Sequence, residues 1–207
     1  CSGNDVNLVS LRVEDPMQTG QCVECNTGDV VTWDLIATIS FGQNGNRSCF
    51  AIAGDLSING IPCCTFSRVN SDACVSGAAN TTQEINFGTI SFICGDGLEL
   101  SNVVVGWASN CNTGCNDGSY TPGTSKCATL ASLTIETPLA ANCSATPGTC
   151  AGDDGIIEVV ATGGDGNYAY QWLDEGGQNV GNTSSIMVPA GTYYVTVTDG
   201  DMCVESC

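Results

Sequence analysis

Cysteine is the residue type with the greatest chemical potential in this chain, which has 15 cysteines and no histidine among 207 residues. Two close pairs, Cys22-x-x-Cys25 and Cys111-x3-Cys115, have spacings found both in zinc knuckles and in disulfide-rich domains. Zinc sites commonly recruit histidine, so its absence favours disulfides. A cytosolic chain would have to keep every thiol reduced. The cysteines therefore predict an exported, disulfide-bonded protein, numbered from after export processing.

Carboxylates are the second group of side chains that could do chemistry. Asp174-Glu175 and other neighbouring acids could supply the paired carboxylates of a glycoside hydrolase. They stand in turn-like sequences, where aspartate beside glycine usually caps backbone amides, so we expect no enzyme and no cofactor. Calcium is the alternative role for the acids in the last third of the chain, although no EF-hand spacing is present. Those acids are Asp153, Asp154, Asp165, Asp199 and Asp201.

Aromatic side chains could stack on sugar rings, which would make the chain a carbohydrate-binding module. Trp33 and Trp172 both lie in alternating apolar runs, a position that favours burial in a core over exposure as a binding platform. Four N-x-S/T sequences also match the pattern of glycan acceptors. The asparagines of these candidate glycosylation sites are Asn46, Asn80, Asn142 and Asn182.

The charge balance narrows the classes of partner. There are 22 acidic residues against four basic ones, giving a net charge of −18. Such a surface repels phosphate backbones and anionic lipid headgroups, which are bound through Lys and Arg patches. No apolar run approaches the roughly 18 residues of a membrane span. We therefore expect no nucleic-acid partner and no direct membrane insertion.

The elements that must position these residues are predicted to be short strands. Glycine is abundant, at 26 residues, and Val, Ile, Thr, Ser and Asn are preferred over strong helix formers. The run Tyr193 to Thr198 alternates with period two, as a half-buried strand does, and Asn59-Gly60 is a strong hairpin signal. The adjacent Cys63 and Cys64 are expected to bond to two different neighbours, because their side chains point apart in an extended backbone.

The spacing of the predicted strands gives an all-β protein with two β-sandwich domains. Residues 1–138 form a disulfide-rich sandwich of jelly-roll or immunoglobulin-like type, a choice that the strand count leaves open. Residues 139–149 are proline-bounded and strandless in pattern, so they are predicted to be the linker. Residues 150–207 form a smaller immunoglobulin-like domain.

Three motifs in the smaller domain carry a resemblance to a known family. They are CAGDDG at 150–155, ATGGDGNYAYQW at 161–172 and VPAGTYYVTVTDGDMC at 188–203. Together, and in this order, they resemble the SprB-type repeat of Bacteroidota cell-surface adhesins. The resemblance implies an immunoglobulin-like fold, export to the outer surface, and a role in adhesion or in building a stalk. It carries no catalytic residues across.

Two disulfides are expected in this domain. We expect Cys150 to bond Cys203, joining the first and last strands, and Cys143 to bond Cys207. Cys1 is left with three alternatives: an intersubunit disulfide, a lipidated N-terminal cysteine, or a cut from a longer chain. The strand after Cys203 is expected to be short or absent, leaving an open sheet edge.

Together these features predict an extracellular structural subunit of a bacterial surface fibre, stalk or adhesin. The expected partners are copies of the chain itself, assembled head to tail with β-strand donation as one route. Residues 4–13 are the candidate donor strand. A secreted carbohydrate-binding module that recognises surface glycans is the alternative.

Overall fold

The computed structural model describes residues 5–17, 22–70, 74–108, 126–149 and 154–207, and within these ranges it contains strands and no helix. The all-β prediction is confirmed. The chain folds into two units, called here the first and second sandwich. The first comprises residues 1–17, 32–91 and 97–136, and the second comprises residues 18–31, 92–96 and 137–207. The strands are β1 Val6–Glu14, β2 Val30–Phe41, β3 Gly45–Ile58, β4 Ile61–Asn70, β5 Val75–Gly77, β6 Thr81–Ile93, β7 Leu98–Ala108, β8 Cys127–Glu136, β9 Ala140–Thr146, β10 Gly155–Thr162, β11 Ala169–Asp174, β12 Asn179–Gly181, β13 Ser185–Val188, β14 Tyr193–Thr198 and β15 Val204–Ser206.

The strand order of the first sandwich decides between the two topologies that the sequence left open. Its strands follow the path β4-β3-β7-β8-β1-β2-β6, and β5 pairs with β3. With the strands lettered A to G in chain order and β4 as the extra C′ strand, this path is C′-C-F-G-A-B-E. That is the immunoglobulin arrangement, in which strands G, F, C and C′ form one sheet and A, B and E lie in the other. Strand β1 joins the two halves, because it pairs antiparallel with β2 and parallel with β8.

The first sandwich forms because its strands each present one apolar face. Leu11, Leu35, Ile39, Phe50 and Leu100 come from four different strands and are fully buried. The hairpin predicted at Asn59-Gly60 is also present, as both residues have positive φ and connect β3 directly to β4. Such a two-residue turn matches the right-handed twist of the strands that it joins. The apolar alternation of the strands and the Asn59-Gly60 turn thus both favour the fold that the first sandwich has.

A buried ion-pair cluster fixes the start of β1. Asp5 accepts hydrogen bonds from the Arg47 guanidinium at 3.0 Å and from Lys126 Nζ at 3.2 Å, and Asp5 and Arg47 are both buried. Burial by itself opposes ionisation of the carboxyl, but the hydrogen bonds from Lys126 and the backbone, with the charges of Lys126 and Arg47, outweigh it and lower the pKa of Asp5. The Asp5 carboxylate therefore links the start of β1 to β3 and to the residue that precedes β8.

Replacing Asp5 by asparagine is expected to lower the free energy of unfolding by about 1.5 to 3 kcal/mol, the range for hydrogen bonds to charged groups. Because the pKa of Asp5 is lowered on folding, its contribution is complete above the ordinary aspartate pKa of about 3.9 and is lost as pH falls through the folded-state value. Urea unfolding of wild type and Asp5→Asn near pH 6 should show the difference. A gap of the same size near pH 3 would contradict this assignment.

The second sandwich has the same strand order in two separate sheets. One sheet runs β13-β10-β9 and the other β12-β11-β14-β15, which correspond to E-B-A and C′-C-F-G. The immunoglobulin-like prediction for this unit therefore agrees with the observed order. Residues 139–149, predicted as a strandless linker, instead contain β9, which pairs with β10 from Ala140 to Thr146. The proline-bounded segment looked like a linker because most of β9 is exposed and lacks apolar alternation.

Candidate functional site

The core of the second sandwich is built around Trp172 on β11. Its side chain is 2% exposed and packs with Leu139, Val159, Val195 and Val197, which come from both sheets. The indole Nε1 donates a hydrogen bond of 2.8 Å to the carbonyl of Thr183. A buried tryptophan on strand C is a hallmark of immunoglobulin domains. This burial confirms the prediction that Trp172 belongs to the core.

A second hallmark lies where the chain enters β14. The Tyr193 hydroxyl donates a hydrogen bond of 2.9 Å to the carbonyl of Pro189, four residues upstream. This matches the tyrosine corner of immunoglobulin-like folds, in which a tyrosine near the start of strand F bonds back to the preceding backbone. The bond fixes the turn between β13 and β14.

Tyr193→Phe should remove this hydrogen bond and leave the packing of the ring unchanged. We expect the free energy of unfolding of the second sandwich to fall by about 1 kcal/mol. Tyr194→Phe is the matched control, because Tyr194 is the next residue on β14 and its side chain is exposed. Denaturant unfolding of both variants measures the effect. Equal stability losses in the two variants would show that the corner bond has no special role.

Cys143 and Cys207 form a disulfide that joins the first and last strands of the second sandwich. Cys143 lies on β9, and Cys207 directly follows β15, with 64 residues of sequence separation. The backbone at Cys207 continues the pairing with β14, as Cys207 N–H donates to Val195 O and Val195 N–H donates to Cys207 O. This is the second of the two pairings expected from the sequence.

The first expected pairing, Cys150 with Cys203, is wrong. Cys203 is bonded to Cys22, across 181 residues of sequence. The reason is that residues 18–31, which follow β1 along the chain, belong to the second sandwich and bring Cys22 to the start of β15. No local pattern encodes so distant a neighbour. Cys150 and Cys1, with the alternatives left open for it, lie outside the described residues.

A further disulfide, Cys25–Cys94, joins residues 18–31 to residues 92–96, both of which belong to the second sandwich. It is framed by backbone hydrogen bonds from Gly28 N–H to Cys94 O and from Cys94 N–H to Asp29 O. Since Cys22 and Cys25 are both disulfide-bonded, the zinc-knuckle interpretation of their spacing fails. Cys111 and Cys115 lie outside the described residues.

The Cys22–Cys203 bond holds two acidic segments together. Glu205 lies two residues after Cys203, and burial, followed by the negative charge of Glu24, raises its pKa. Glu24 in turn lies two residues after Cys22. The covalent bond thus opposes a repulsion between like charges that would otherwise favour separation of the segments.

Two aspartates lock the β10–β11 and β14–β15 turns. Asp165 accepts hydrogen bonds from the N–H groups of Asn167 and Gly200, both at 2.9 Å, and Asp199 accepts one from Cys203 N–H at 2.8 Å. The side-chain and backbone bonds of Asn167, with that of Gly200, lower the pKa of Asp165. Both acids were calcium candidates in the sequence, and the structure shows that each caps backbone amides in a turn.

The calcium alternative gains no support from the described residues, in which no three carboxylate or cysteine groups converge as metal ligands. Asp165 is engaged by the N–H groups of Asn167 and Gly200, and Asp154 and Asp201 are exposed. Asp199 is buried. Asp153 lies outside the described ranges.

The carbohydrate-binding alternative depended on exposed aromatic rings. The three tryptophans of the chain, Trp33, Trp107 and Trp172, are all buried, so no indole offers a ring face to a sugar, whereas the ring of Tyr194 is exposed. The four asparagines of the candidate glycosylation sites are exposed. Asn46 and Asn142 lie on β3 and β9, whereas Asn80 and Asn182 lie between strands.

The edge beyond Cys203 is closed more fully than the sequence indicated. β15 is short, with three residues, but it pairs with β14. Its end is bonded through Cys207 to β9, the edge of the other sheet. The predicted donor segment, residues 4–13, contains β1, and β1 is already paired on both edges, with β2 and with β8.

Cys63 and Cys64 depart from the prediction that each would bond to a different neighbour. Both are free and exposed on β4, with their sulfur atoms 3.0 Å apart. The alternation argument failed here because the pairing of β4 with β3 is irregular next to these residues.

No helix in the described ranges is long and apolar enough to cross a membrane. The disulfides fit a location outside the cytoplasm.

A family model matches one segment of the chain, whereas no curated protein sequence matches the chain. The SprB repeat model matches residues 143–177, which run from Cys143 on β9 through β10 and β11 to the turn after Asp174. The match indicates a cell-surface module of the kind found in Bacteroidota adhesins. The segment around the buried Trp172 of the second sandwich is thus similar to a SprB repeat.

Proposed function

We propose that this chain is a load-bearing structural subunit of an extracellular bacterial fibre, stalk or adhesin. The observation that carries the proposal is the Cys22–Cys203 disulfide, which connects points separated by 181 residues. Tension applied at the two ends of the chain passes through this bond, so the residues between its two cysteines are not stretched. Cys143–Cys207 closes a second loop within the same region. A surface protein that transmits force between a cell and its surroundings needs such protection.

The proposed partners are further copies of the chain. A net charge of −18 makes close approach of copies costly, so contact is favoured where carboxylates are few. The outer face of the β13-β10-β9 sheet is such a place. Ile156 and Met187 are paired across it, Val160 is 60% exposed, and Met187 is 67% exposed. Glu158 is the acid on this face, and it accepts a hydrogen bond from Ser185.

Strand donation by residues 4–13 is the less favoured route of assembly. The described part of this segment lies in the middle of the first sandwich and pairs on both edges. Releasing it would expose the strands on both sides. Head-to-tail contact through intact sandwiches needs no such opening, and it gives a heterologous interface that propagates into a filament.

Assembly is tested by negative-stain electron microscopy and sedimentation of the purified chain over a range of concentrations and salt. Filaments with a regular repeat are expected, with lengthening at higher salt as repulsion is screened. Val160→Glu with Met187→Glu should abolish assembly. Tyr194→Glu, on an exposed position of the other sheet, is the matched control.

Two results would contradict the proposal. Wild-type chain that stays monomeric at every concentration and binds a glycan array would favour the carbohydrate-binding alternative. Filaments that persist in the double variant would reject the named face as the contact.

A further inference from the structure

The two adjacent cysteines on β4 are a chemical exception among the described residues. Cys63 and Cys64 are free thiols. The other described cysteines are disulfide-bonded: Cys22, Cys25, Cys49, Cys74, Cys94, Cys127, Cys143, Cys203 and Cys207. In a chain that is oxidised elsewhere, an exposed pair with sulfur atoms 3.0 Å apart requires its own explanation.

A β-bulge brings these two side chains together. In the pairing of β3 with β4, Leu56 is opposite Cys64 and Ser57 is opposite Pro62, so Cys63 is an extra residue in β4. Adjacent side chains of a regular strand point to opposite faces. An extra residue interrupts that alternation and re-aims a side chain, and bulges are frequent beside functional sites for this reason.

The same region is poorly suited to pairing with another strand. β4 is the terminal strand of the path through the first sandwich. Pro62 has no N–H to donate, and the bulge disturbs the remaining backbone pattern. The thiols therefore face reagents in solution, not a neighbouring sheet.

We propose that Cys63 and Cys64 are a redox-active dithiol that closes into a vicinal disulfide by exchange with a low-molecular-weight disulfide. The thiolate of one cysteine attacks a sulfur of the small disulfide, forming a mixed disulfide and releasing one small thiol. The second cysteine attacks the sulfur of the first, forms the Cys63–Cys64 bond, and releases the second small thiol together with its proton. The pair is oxidised by two electrons, and the small disulfide is reduced.

Ring closure is favoured over a lasting mixed disulfide because the second thiol is already in position. Its sulfur is 3.0 Å from the sulfur that it attacks, so the step is intramolecular and well oriented. The hydrogen bond with Cys63, followed by burial and the charge of Cys63, raises the pKa of Cys64. The sulfur distance, which does not depend on that shift, is what favours ring closure.

The closed pair is expected to be more easily reduced than the long-range bridges. Consecutive Cα atoms are about 3.8 Å apart, below the roughly 4.4 to 6.8 Å usual for bridged cysteines. A bond outside that range is strained, and strained, exposed disulfides are the labile ones. The pair would thus switch between dithiol and disulfide while Cys143–Cys207 stays intact.

Incubation of the full chain with oxidised glutathione, followed by alkylation and peptide mass spectrometry, tests the proposal. The peptide containing both cysteines should lack two hydrogen atoms and resist alkylation. A graded addition of reduced glutathione should restore its alkylation before that of Cys143 or Cys207. Cys63→Ser and Cys64→Ser should each stop at a stable glutathione adduct, because the attacking partner is missing.

Three outcomes would overturn the proposal. The wild-type pair could remain fully alkylated after oxidation, it could accumulate the glutathione adduct, or it could be bonded to cysteines elsewhere. Reduction of the pair together with Cys143–Cys207 would reject its greater lability.

Discussion

Replacing both Cys22 and Cys203 by alanine is expected to lower the free energy of unfolding by about 4 kcal/mol. The bond spans 181 residues, but the other bridges shorten the loop that it closes in the unfolded chain, so we take the estimate for a loop of about 60 residues. Alanine is chosen because Cys203 belongs to the core of the second sandwich and a serine hydroxyl would be buried there. Calorimetry of the oxidised proteins measures the loss.

The matched control for this variant replaces Cys143 and Cys207 by alanine. It removes one bridge of the same region, so its thermodynamic cost should be similar, while Cys22–Cys203 stays in place. The two variants should therefore be alike in stability and differ under force. A loss below about 1 kcal/mol in the Cys22 and Cys203 variant would show that the bond does not constrain the unfolded chain.

Trp172→Ala is expected to destabilise the second sandwich by about 3 to 5 kcal/mol, the usual range for removing a buried tryptophan. The side chain is 2% exposed and packs against residues of both sheets, so truncation leaves a cavity between them. The transition of the second sandwich should move to lower temperature, and that of the first sandwich should stay in place.

Trp172→Phe separates packing from hydrogen bonding at the same position. It keeps an aromatic ring but loses the donor to the Thr183 carbonyl, so we expect a smaller loss of about 1 to 2 kcal/mol. If phenylalanine and alanine cost the same, the cavity argument fails. A cost for alanine under about 1 kcal/mol would place Trp172 outside the core.

Local patterns predicted structure well where burial alternates along a strand or where a turn has specific residues. Tyr193–Thr198 has the bounds that alternation indicated, and the Asn59-Gly60 hairpin joins β3 to β4. β9 was missed because its residues Ala140–Thr146 are largely exposed and carry no apolar period. Strand count alone could not separate jelly-roll from immunoglobulin topology, since the order of strands depends on pairing across the whole chain.

The site was less predictable than the fold for the same physical reason. Cys143 and Cys207 could be paired because they flank one module, whereas Cys22 and Cys203 meet through a segment that lies in a different part of the sequence. The closeness of Cys63 and Cys64 depends on one extra residue in a β-ladder. Register is a property of two strands, and neither strand's sequence displays it.

Single-molecule stretching of the chain, held by handles at its two ends, tests the load-bearing function most directly. With the disulfides intact, tension should pass from Cys22 to Cys203, and the chain should lengthen only through the residues outside that loop. After reduction, the 181 residues of separation should add roughly 600 to 650 Å of contour length. An oxidised chain that releases the same length under force would contradict the account.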